Sequence, residues 1–172
     1  LFDYELADGE FLQRYRSIPG SQSIKRCACN GANSAAILET IRKKLAQDPT
    51  ANYVIAIDPV TNLTLTKKDI HNFISKLREI IDENGRNGRD ITFLLVGHTV
   101  KNVRGNGLQN LGGAKEWGEG AKTVVAIAPY DNEPDRKTLH IDKARSGSTI
   151  MDRGQEFPLK RSSDHACLFE YD

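Results

Sequence analysis

The segment YVIAID, at positions 53–58, constrains the fold more than any other part of the chain. Its first five residues are apolar, so a strand here would be apolar on both faces, as a central strand of a parallel sheet is. The segment then ends at a single carboxylate, Asp58, directly before Pro59. A carboxylate in this place either caps a loop or holds something charged, such as a metal ion beside a phosphate.

Strands and helices alternate along most of the chain, which favours an α/β fold with short crossovers, a mostly parallel sheet and helices on both faces. Four later strands separated by polar turns should form an antiparallel C-terminal edge, and 172 residues suit a single domain. The predicted elements are a strand in LFDYEL, a helix N-capped by Asp8, a short strand in SIKRCAC, a helix at 33–47, the strand at 53–58, a helix at 70–85, a strand in ITFLLVGH, and strands in TVVAIAP, TLHIDKA, QEFPL and ACLFEYD.

The composition restricts the class of protein. Hydrophobic residues make up 38% and charged residues 27% of the chain, which is typical of a soluble domain with a core. A net charge of +1 provides no general attraction for nucleic acid or membranes, so any nucleic-acid contact must come from a local patch. No apolar stretch approaches the ~18 residues of a membrane span. Three cysteines without an export signal indicate reduced thiols and a cytoplasmic protein.

Three ionisable residues follow strands whose carboxyl ends should share one edge of the sheet: Glu5, Asp58 and His98. In open α/β sheets, ligands bind at this edge, and ionisable groups with perturbed properties gather at functional sites. Each residue also has a structural interpretation, because an aspartate commonly caps a loop and a lone histidine is often a satisfied core residue.

Five segments occur in an order that resembles a known family: FDYELADGEFLQRY, VIAIDPVTNL, LLVGHTVK, LGGAKEWGEGAKTVVAI and HIDKARSG. Together they resemble the later two-thirds of a RecA-like P-loop ATPase core, and most of all the hexameric helicase-type and plasmid- or mobile-element-associated ATPases. The resemblance covers residues 1–148. It implies a RecA-like three-layer fold, ATP and Mg²⁺ as cofactors, and assembly into a homo-oligomeric ring.

The resemblance also implies a role for particular residues. Glu5 holds the place of the acidic residue that activates the attacking water, and Asp58 that of the Walker B aspartate, which acts on magnesium. His98 resembles the polar sensor of the γ-phosphate. Lys143 and Arg145 resemble the K-x-R strand that reaches into the nucleotide of a neighbouring subunit; on the residues alone, they could equally be a solvated pair on one strand face.

A phosphate loop is missing from the sequence. That loop reads G-x-x-x-x-G-K-[ST], whereas the nearest glycine spacing, Gly107 to Gly112, is followed by Gly113. In the family, the loop precedes the strand in LFDYEL. We therefore expect the chain to be the later part of a core truncated at its N-terminus, and to be inactive as an ATPase alone.

The Gly- and Asn-rich segment after His98 carries three basic residues and no acidic one: Lys101, Arg104 and Lys115. The resemblance implies that such a loop lines a central channel and binds single-stranded DNA. Basic side chains neutralise phosphates, and glycines allow the backbone to approach closely. A solvated loop without a ligand is the other interpretation.

Two further patterns are weaker. Gly105-x-Gly107 lacks the third glycine of a dinucleotide fingerprint, because Asn110 stands there, and this disfavours an oxidoreductase. Cys27-x-Cys29 with His165-x-Cys167 has spacers tighter than those of zinc sites. The sequence therefore predicts part of a RecA-like ATPase that couples hydrolysis to DNA-related work, as a replicative helicase or a replication or mobilisation accessory. The alternative is a non-catalytic DNA-binding or assembly module of the same fold.

Overall fold

A computed structural model describes residues 1–15, 18, 20–29, 31–63, 65–98, 116–130, 133–144, 156–163 and 169–171. The helices are α1 (Asp8–Tyr15), α2 (Ser34–Gln47), α3 (Lys67–Gly85) and α4 (Glu116–Gly120), with 3-10 turns at Ser21–Ser23 and Val60–Leu63. The strands are β1 (Phe2–Asp3), β2 (Cys27–Ala28), β3 (Tyr53–Asp58), β4 (Ile91–Leu95), β5 (Thr123–Tyr130), β6 (Glu133–Ala144), β7 (Glu156–Arg161) and β8 (Phe169–Tyr171).

The first four strands form a parallel sheet in the order β2-β1-β3-β4. Strand β3 lies between β1 and β4, so the segment YVIAID is the central strand that its composition predicted. Its register with β4 runs from Tyr53 opposite Ile91 to Ile57 opposite Leu95. The α/β class and the parallel sheet are confirmed.

The last four strands form an antiparallel sheet in the order β5-β6-β7-β8. Antiparallel strands at the C-terminal side are confirmed. The expectation that they extend the parallel sheet as its edge is wrong for the described residues, where these strands pair with one another and not with β4. The β5–β6 ladder is irregular at Val124/Val125 and at Pro129/Tyr130.

Helices α2 and α3 pack against one face of the parallel sheet. Their apolar stripes share one cluster with Ile55, Ile57 and Ile91 of the strands. Those stripes consist of Ile37, Ile41 and Leu45 on α2 and of Ile70, Phe73, Ile74, Leu77 and Ile80 on α3, all buried. Burial of such a side chain contributes roughly 1.5–3 kcal/mol, so this face supplies most of the core. Side chains alternate along a strand, and the opposite face leaves Val54 73% and Leu94 53% exposed.

The short helix α4 links the two sheets. Trp117 packs edge-on against Phe73 of α3, with ring centroids 6.0 Å apart. Lys143 of β6 donates from Nζ to the backbone oxygens of Gly118 and Glu119, each at 2.8 Å. Gly120 touches α3 so closely that an added Cβ would lie 2.3 Å from the Cδ1 atom of Ile74. A larger residue at this position would force the Ile74 side chain to move.

Helices α2 and α3 have side-chain caps at their N-termini, and α3 begins three residues before the predicted start at Ile70. Asn33 accepts a hydrogen bond from the Ala36 N–H at 3.0 Å, and Thr66 accepts one from the Asp69 N–H at 3.3 Å. The predicted N-cap Asp8 is instead the first residue of α1. None of the described helices has both the length and the apolar character needed to cross a membrane.

Candidate active site at the carboxyl ends of the parallel strands

Three of the predicted site residues come together at one edge of the parallel sheet. Asp58 is the last residue of β3, Glu5 follows β1 by two residues, and His98 follows β4 by three. Strands β1 and β3 are adjacent, with Asp3 opposite Asp58, and the N–H of Tyr4 donates to the Asp58 backbone oxygen at 2.9 Å. Because parallel strands end at the same edge, the three chain segments meet there.

Glu5 and His98 are in direct contact. The Nε2 atom of His98 lies 2.9 Å from Oε1 of Glu5, and the two side chains are 61% and 45% exposed, histidine first. The contact joins residues 93 positions apart in the chain. When the imidazole carries a second proton, this hydrogen bond becomes an ion pair that solvent screens.

Asp58 lies half-buried beside this pair. Burial raises the pKa of its carboxyl above the ordinary value, and the negative charge of Glu5 adds to the rise, while His98 acts against it. Besides burial, which is the larger cause, the Glu5 carboxylate places a second negative charge near Asp58, so the two carboxylates crowd negative charge at this edge. A cation would relieve this crowding, and Mg²⁺ is usually held by one or two carboxylates together with waters and substrate phosphates. One carboxylate at a strand end therefore fits magnesium held jointly with a nucleotide.

The strand ends that carry Asp58 and His98 are held together by the backbone. The N–H of Val96 donates to the Ile57 oxygen at 3.0 Å, and the N–H of Val60 donates to the Val96 oxygen at 2.8 Å. The peptide bond between Asp58 and Pro59 is cis. The two hydrogen bonds continue the pairing of β3 and β4 past the sheet, so Asp58 keeps its place relative to the segment that leads to His98.

The sequence reasoning missed two residues that build this edge, Asp3 and Arg26. Asp3 is 3% exposed, and its Oδ1 atom accepts hydrogen bonds from the N–H groups of Glu5 at 2.9 Å and Leu6 at 3.1 Å. The Nε atom of Arg26 donates to Oδ2 of Asp3 at 2.9 Å. An aspartate that accepts from the backbone two residues later is a recognisable turn signal. The Arg26 contact, 23 positions away, leaves no such local signal.

The pKa of Asp3 reflects this arrangement. Burial acts to raise the pKa of the carboxyl, but the two backbone donors and the Arg26 guanidinium outweigh it, so the pKa lies below its ordinary value. A lowered pKa in the folded state means that the charged form stabilises the fold above the ordinary value of 3.8 and that this stabilisation is lost as the pH falls through the folded pKa. Asp3 is therefore a charged, structural acceptor at neutral pH.

The remaining predicted residues lie elsewhere. Lys143 is on β6, where two of its donors are engaged by α4. Lys101, Arg104, Lys115 and Arg145 lie outside the described residues. The functional roles of all these residues stay predictions.

The pattern Cys27-x-Cys29 is the weaker candidate for a metal site in the sequence. Cys29 is buried, and its Sγ atom lies 3.2 Å from the backbone oxygen of Cys27. Burial, helped by the neighbouring Cys27, raises the pKa of the Cys29 thiol to about 12. In the parts of the chain that the structure describes, no group of three or more His, Cys, Asp or Glu side chains is placed to hold a metal ion. His165 and Cys167 lie outside them.

No protein-family model and no curated protein matches the chain. Among solved structures, the chain is similar to one described as an ATPase domain, with a TM-score of 0.67 and 14% sequence identity. The superposition covers 96% of this chain and 71% of that domain. The chain has a RecA-like fold. At this identity the similarity establishes the arrangement of helices and strands, and the chemistry has to be argued from the residues at the strand ends.

Proposed function

We propose that the chain supplies the water-activating and metal-binding side of an ATP-hydrolysing site. The observation that carries the proposal is the meeting of Glu5, Asp58 and His98 at the carboxyl edge of the parallel sheet, with Glu5 and His98 2.9 Å apart. Ligands bind at this edge in α/β folds. The similarity to a solved ATPase domain supports nucleotide as the ligand class.

Each of the three residues has a distinct task in this proposal. Glu5 accepts a hydrogen bond from the attacking water and orients it for in-line attack on the γ-phosphate, because its carboxylate is exposed at the edge. Asp58 would hold Mg²⁺, which would neutralise charge on the phosphate oxygens when bound. His98 contacts Glu5 and stands next to the proposed phosphate position, so a γ-phosphate there would compete with Glu5 for the imidazole N–H.

The phosphate loop belongs, in this proposal, to a longer protein that contains these residues. No Gly-Lys pair occurs in the sequence, and a Walker A motif requires one. We expect the 172 residues alone to be inactive and the longer protein to hydrolyse ATP. Its work would be DNA-related, as in a replicative helicase or a replication or mobilisation accessory. The missing motif also keeps open a non-catalytic DNA-binding or assembly module, which would bind its partners equally well without magnesium and ATP.

The decisive experiment is the variant Asp58→Ala in the longer protein. Turnover of ATP is expected to fall by about 100-fold, because the metal loses its carboxylate, while a fluorescent nucleotide still binds through contacts elsewhere. Asp90→Ala is the matched control, since Asp90 is exposed and precedes β4 at the opposite end of the strand. Wild-type turnover in Asp58→Ala, or equal losses in both variants, would contradict the proposed site.

A ring of identical subunits is the proposed assembly, with the strand of Lys143 and Arg145 facing a neighbour's nucleotide. The two hydrogen bonds from Lys143 to α4 place its amine between β6 and that helix. Arg145 then supplies, to the site of the neighbouring subunit, a cation that stabilises the charge developing on the phosphate. Mixing Asp58→Ala with Arg145→Ala subunits should restore part of the activity, because each variant damages a different side of a shared site. Co-assembly without recovery would rule the trans role out.

Single-stranded DNA is the proposed substrate of the segment after His98. Replacing Lys101, Arg104 and Lys115 by alanine should weaken DNA binding and reduce the salt slope of log K by about 2, since each phosphate contact contributes about 0.7 for single strands. Fluorescence anisotropy at several salt concentrations measures the slope. The control replaces Lys44, Lys68 and Arg86, three exposed cations elsewhere on the chain. An equal change in both triple variants would assign the effect to net charge and reject this segment as the DNA site.

A further inference from the structure

The Glu5 side chain is placed by its backbone rather than by packing. It is 45% exposed, and its hydrogen bond with His98 is open to solvent, so packing constrains its direction little. Its own N–H, however, donates to Oδ1 of Asp3 at 2.9 Å, and the next N–H, of Leu6, donates to the same atom at 3.1 Å. Two bonds to one buried oxygen fix the turn from which Glu5 projects.

Asp3 is buried, and three of the about four acceptor sites of its carboxylate are occupied by the chain itself. Its Oδ1 atom accepts two backbone bonds, and its Oδ2 atom accepts the Nε–H of Arg26 at 2.9 Å. Asp3 is opposite Asp58 in the β1–β3 register, yet it is 3% exposed and engaged by three donors. The two aspartates therefore have different functions: Asp58 faces the proposed metal, and Asp3 holds the chain.

Arg26 completes the support from the other side. Besides Asp3, its guanidinium donates to the Leu6 backbone oxygen and to Oδ1 of Asp8, and its Cζ atom lies 4.9 Å from the ring centroid of Phe11. One planar cation thus connects the turn after β1, the segment that enters β2 and the first turns of α1. The Arg26 side chain is 12% exposed and that of Asp3 is 4% exposed, so the bond between them is largely shielded from water, whereas Asp8 is 89% exposed.

We propose that Asp3 and Arg26 are positioning residues that set the place of the Glu5 carboxylate at the reaction centre. Neither touches the nucleotide; both act through the turn of residues 4–7. The effect on catalysis rests on the proposed function. The support of the turn by Asp3 and Arg26 does not, because it is seen in the hydrogen bonds of the chain itself. A displacement of about 1 Å at a catalytic group lowers turnover by up to about 100-fold. The effect falls on the chemical step, since nucleotide is bound by other residues.

The test uses Arg26→Lys in the longer protein, because lysine keeps the charge but cannot supply the planar fork of donors. We expect kcat to fall about 10–100-fold, with KM for ATP unchanged within about 3-fold. Amide hydrogen exchange at Glu5 and Leu6 should become faster in the same variant. Arg86→Lys, at an exposed arginine after α3, is the matched control and should change neither quantity. Asp3→Ala, folded as judged by circular dichroism, should give the same local exchange and a larger loss of kcat.

A double variant separates positioning from general destabilisation. In a Glu5→Gln background, Arg26→Lys should cause no further fall in kcat, because both changes act on one carboxylate. An additive loss would overturn the positioning role. Unchanged exchange at Glu5 and Leu6 would also overturn it, whatever the turnover. A third outcome is faster exchange in Arg26→Lys together with wild-type turnover in both Arg26→Lys and Glu5→Gln. Asp3 and Arg26 would then support the turn, but Glu5 would have no catalytic role and the proposed function would be wrong.

Discussion

Replacing Glu5 by glutamine is expected to lower ATP turnover in the longer protein by about 10²–10⁴-fold, the usual contribution of a positioned acid or base. Glutamine keeps the size of the side chain and can still contact His98 across the 2.9 Å that now separates the Nε2 and Oε1 atoms. It cannot accept the proton of the attacking water as a carboxylate does. The loss should therefore appear in kcat, while nucleotide affinity changes little. Single-turnover measurements at saturating ATP isolate this step from product release.

The control for Glu5→Gln is Glu10→Gln. Glu10 lies in the first turn of α1, is exposed, and accepts a hydrogen bond from the Ala7 N–H at 3.0 Å, which a glutamine oxygen can also accept. Turnover of this variant should stay within about 2-fold of wild type, since surface changes of this kind alter little. If Glu5→Gln retains more than a tenth of wild-type turnover, Glu5 is not the residue that activates the water.

The part of the site that the sequence predicts is the part that local pattern determines. An apolar run ending at Asp58, with polar residues after two neighbouring strands, places three side chains at one edge because parallel strands end together. The periodicity of α2 and α3 likewise predicts their buried faces, with Ile37 and Ile70 each 2% exposed.

The part that the sequence does not predict depends on contacts between distant segments. Nothing near Arg26 indicates that it bonds to Asp3, and nothing near Lys143 indicates that its amine meets the end of α4. The apolar pattern also does not predict which strands pair, because it is the same whether β5 pairs with β4 or with β6. In the structure β5 pairs with β6, the next strand in the chain.

Replacing Arg89 by alanine is expected to lower the free energy of unfolding by about 3 kcal/mol, the upper range for hydrogen bonds made by a charged group. Arg89 is 8% exposed, and its guanidinium joins the ends of α2 and α3 to the start of β3. It donates to the backbone oxygens of Leu45 at 3.2 Å, Asp48 at 2.9 Å and Ala51 at 3.2 Å, and to Oδ1 of Asn84 at 2.8 Å. Its Cζ atom also lies 6.0 Å from the ring centroid of Tyr53.

The loss of unfolding free energy in Arg89→Ala depends on how well water can solvate the oxygens that lose their donor. A cleft of about 240 Å³ borders Arg89 and is lined by Arg42, Pro49 and Glu83 among others. Water that enters through this cleft can solvate some of the carbonyl oxygens that alanine leaves without a donor, which limits the cost to about 3 kcal/mol rather than more. For a chain of this size, that loss lowers the melting temperature by roughly 6–12 °C.

Urea denaturation measures the effect, and two further variants interpret it. Arg89→Lys should recover less than half of the loss, because one ammonium group cannot reach acceptors on three chain segments at once. Arg86→Ala, at an exposed arginine three residues earlier, should stay within about 0.5 kcal/mol of wild type. A midpoint shift in Arg89→Ala no larger than that of Arg86→Ala would mean that the helix ends are held by the apolar core alone. A larger midpoint shift, with an unchanged dependence of the unfolding free energy on urea, would mean that Arg89 holds α2 and α3 to the start of β3, the strand that ends at Asp58.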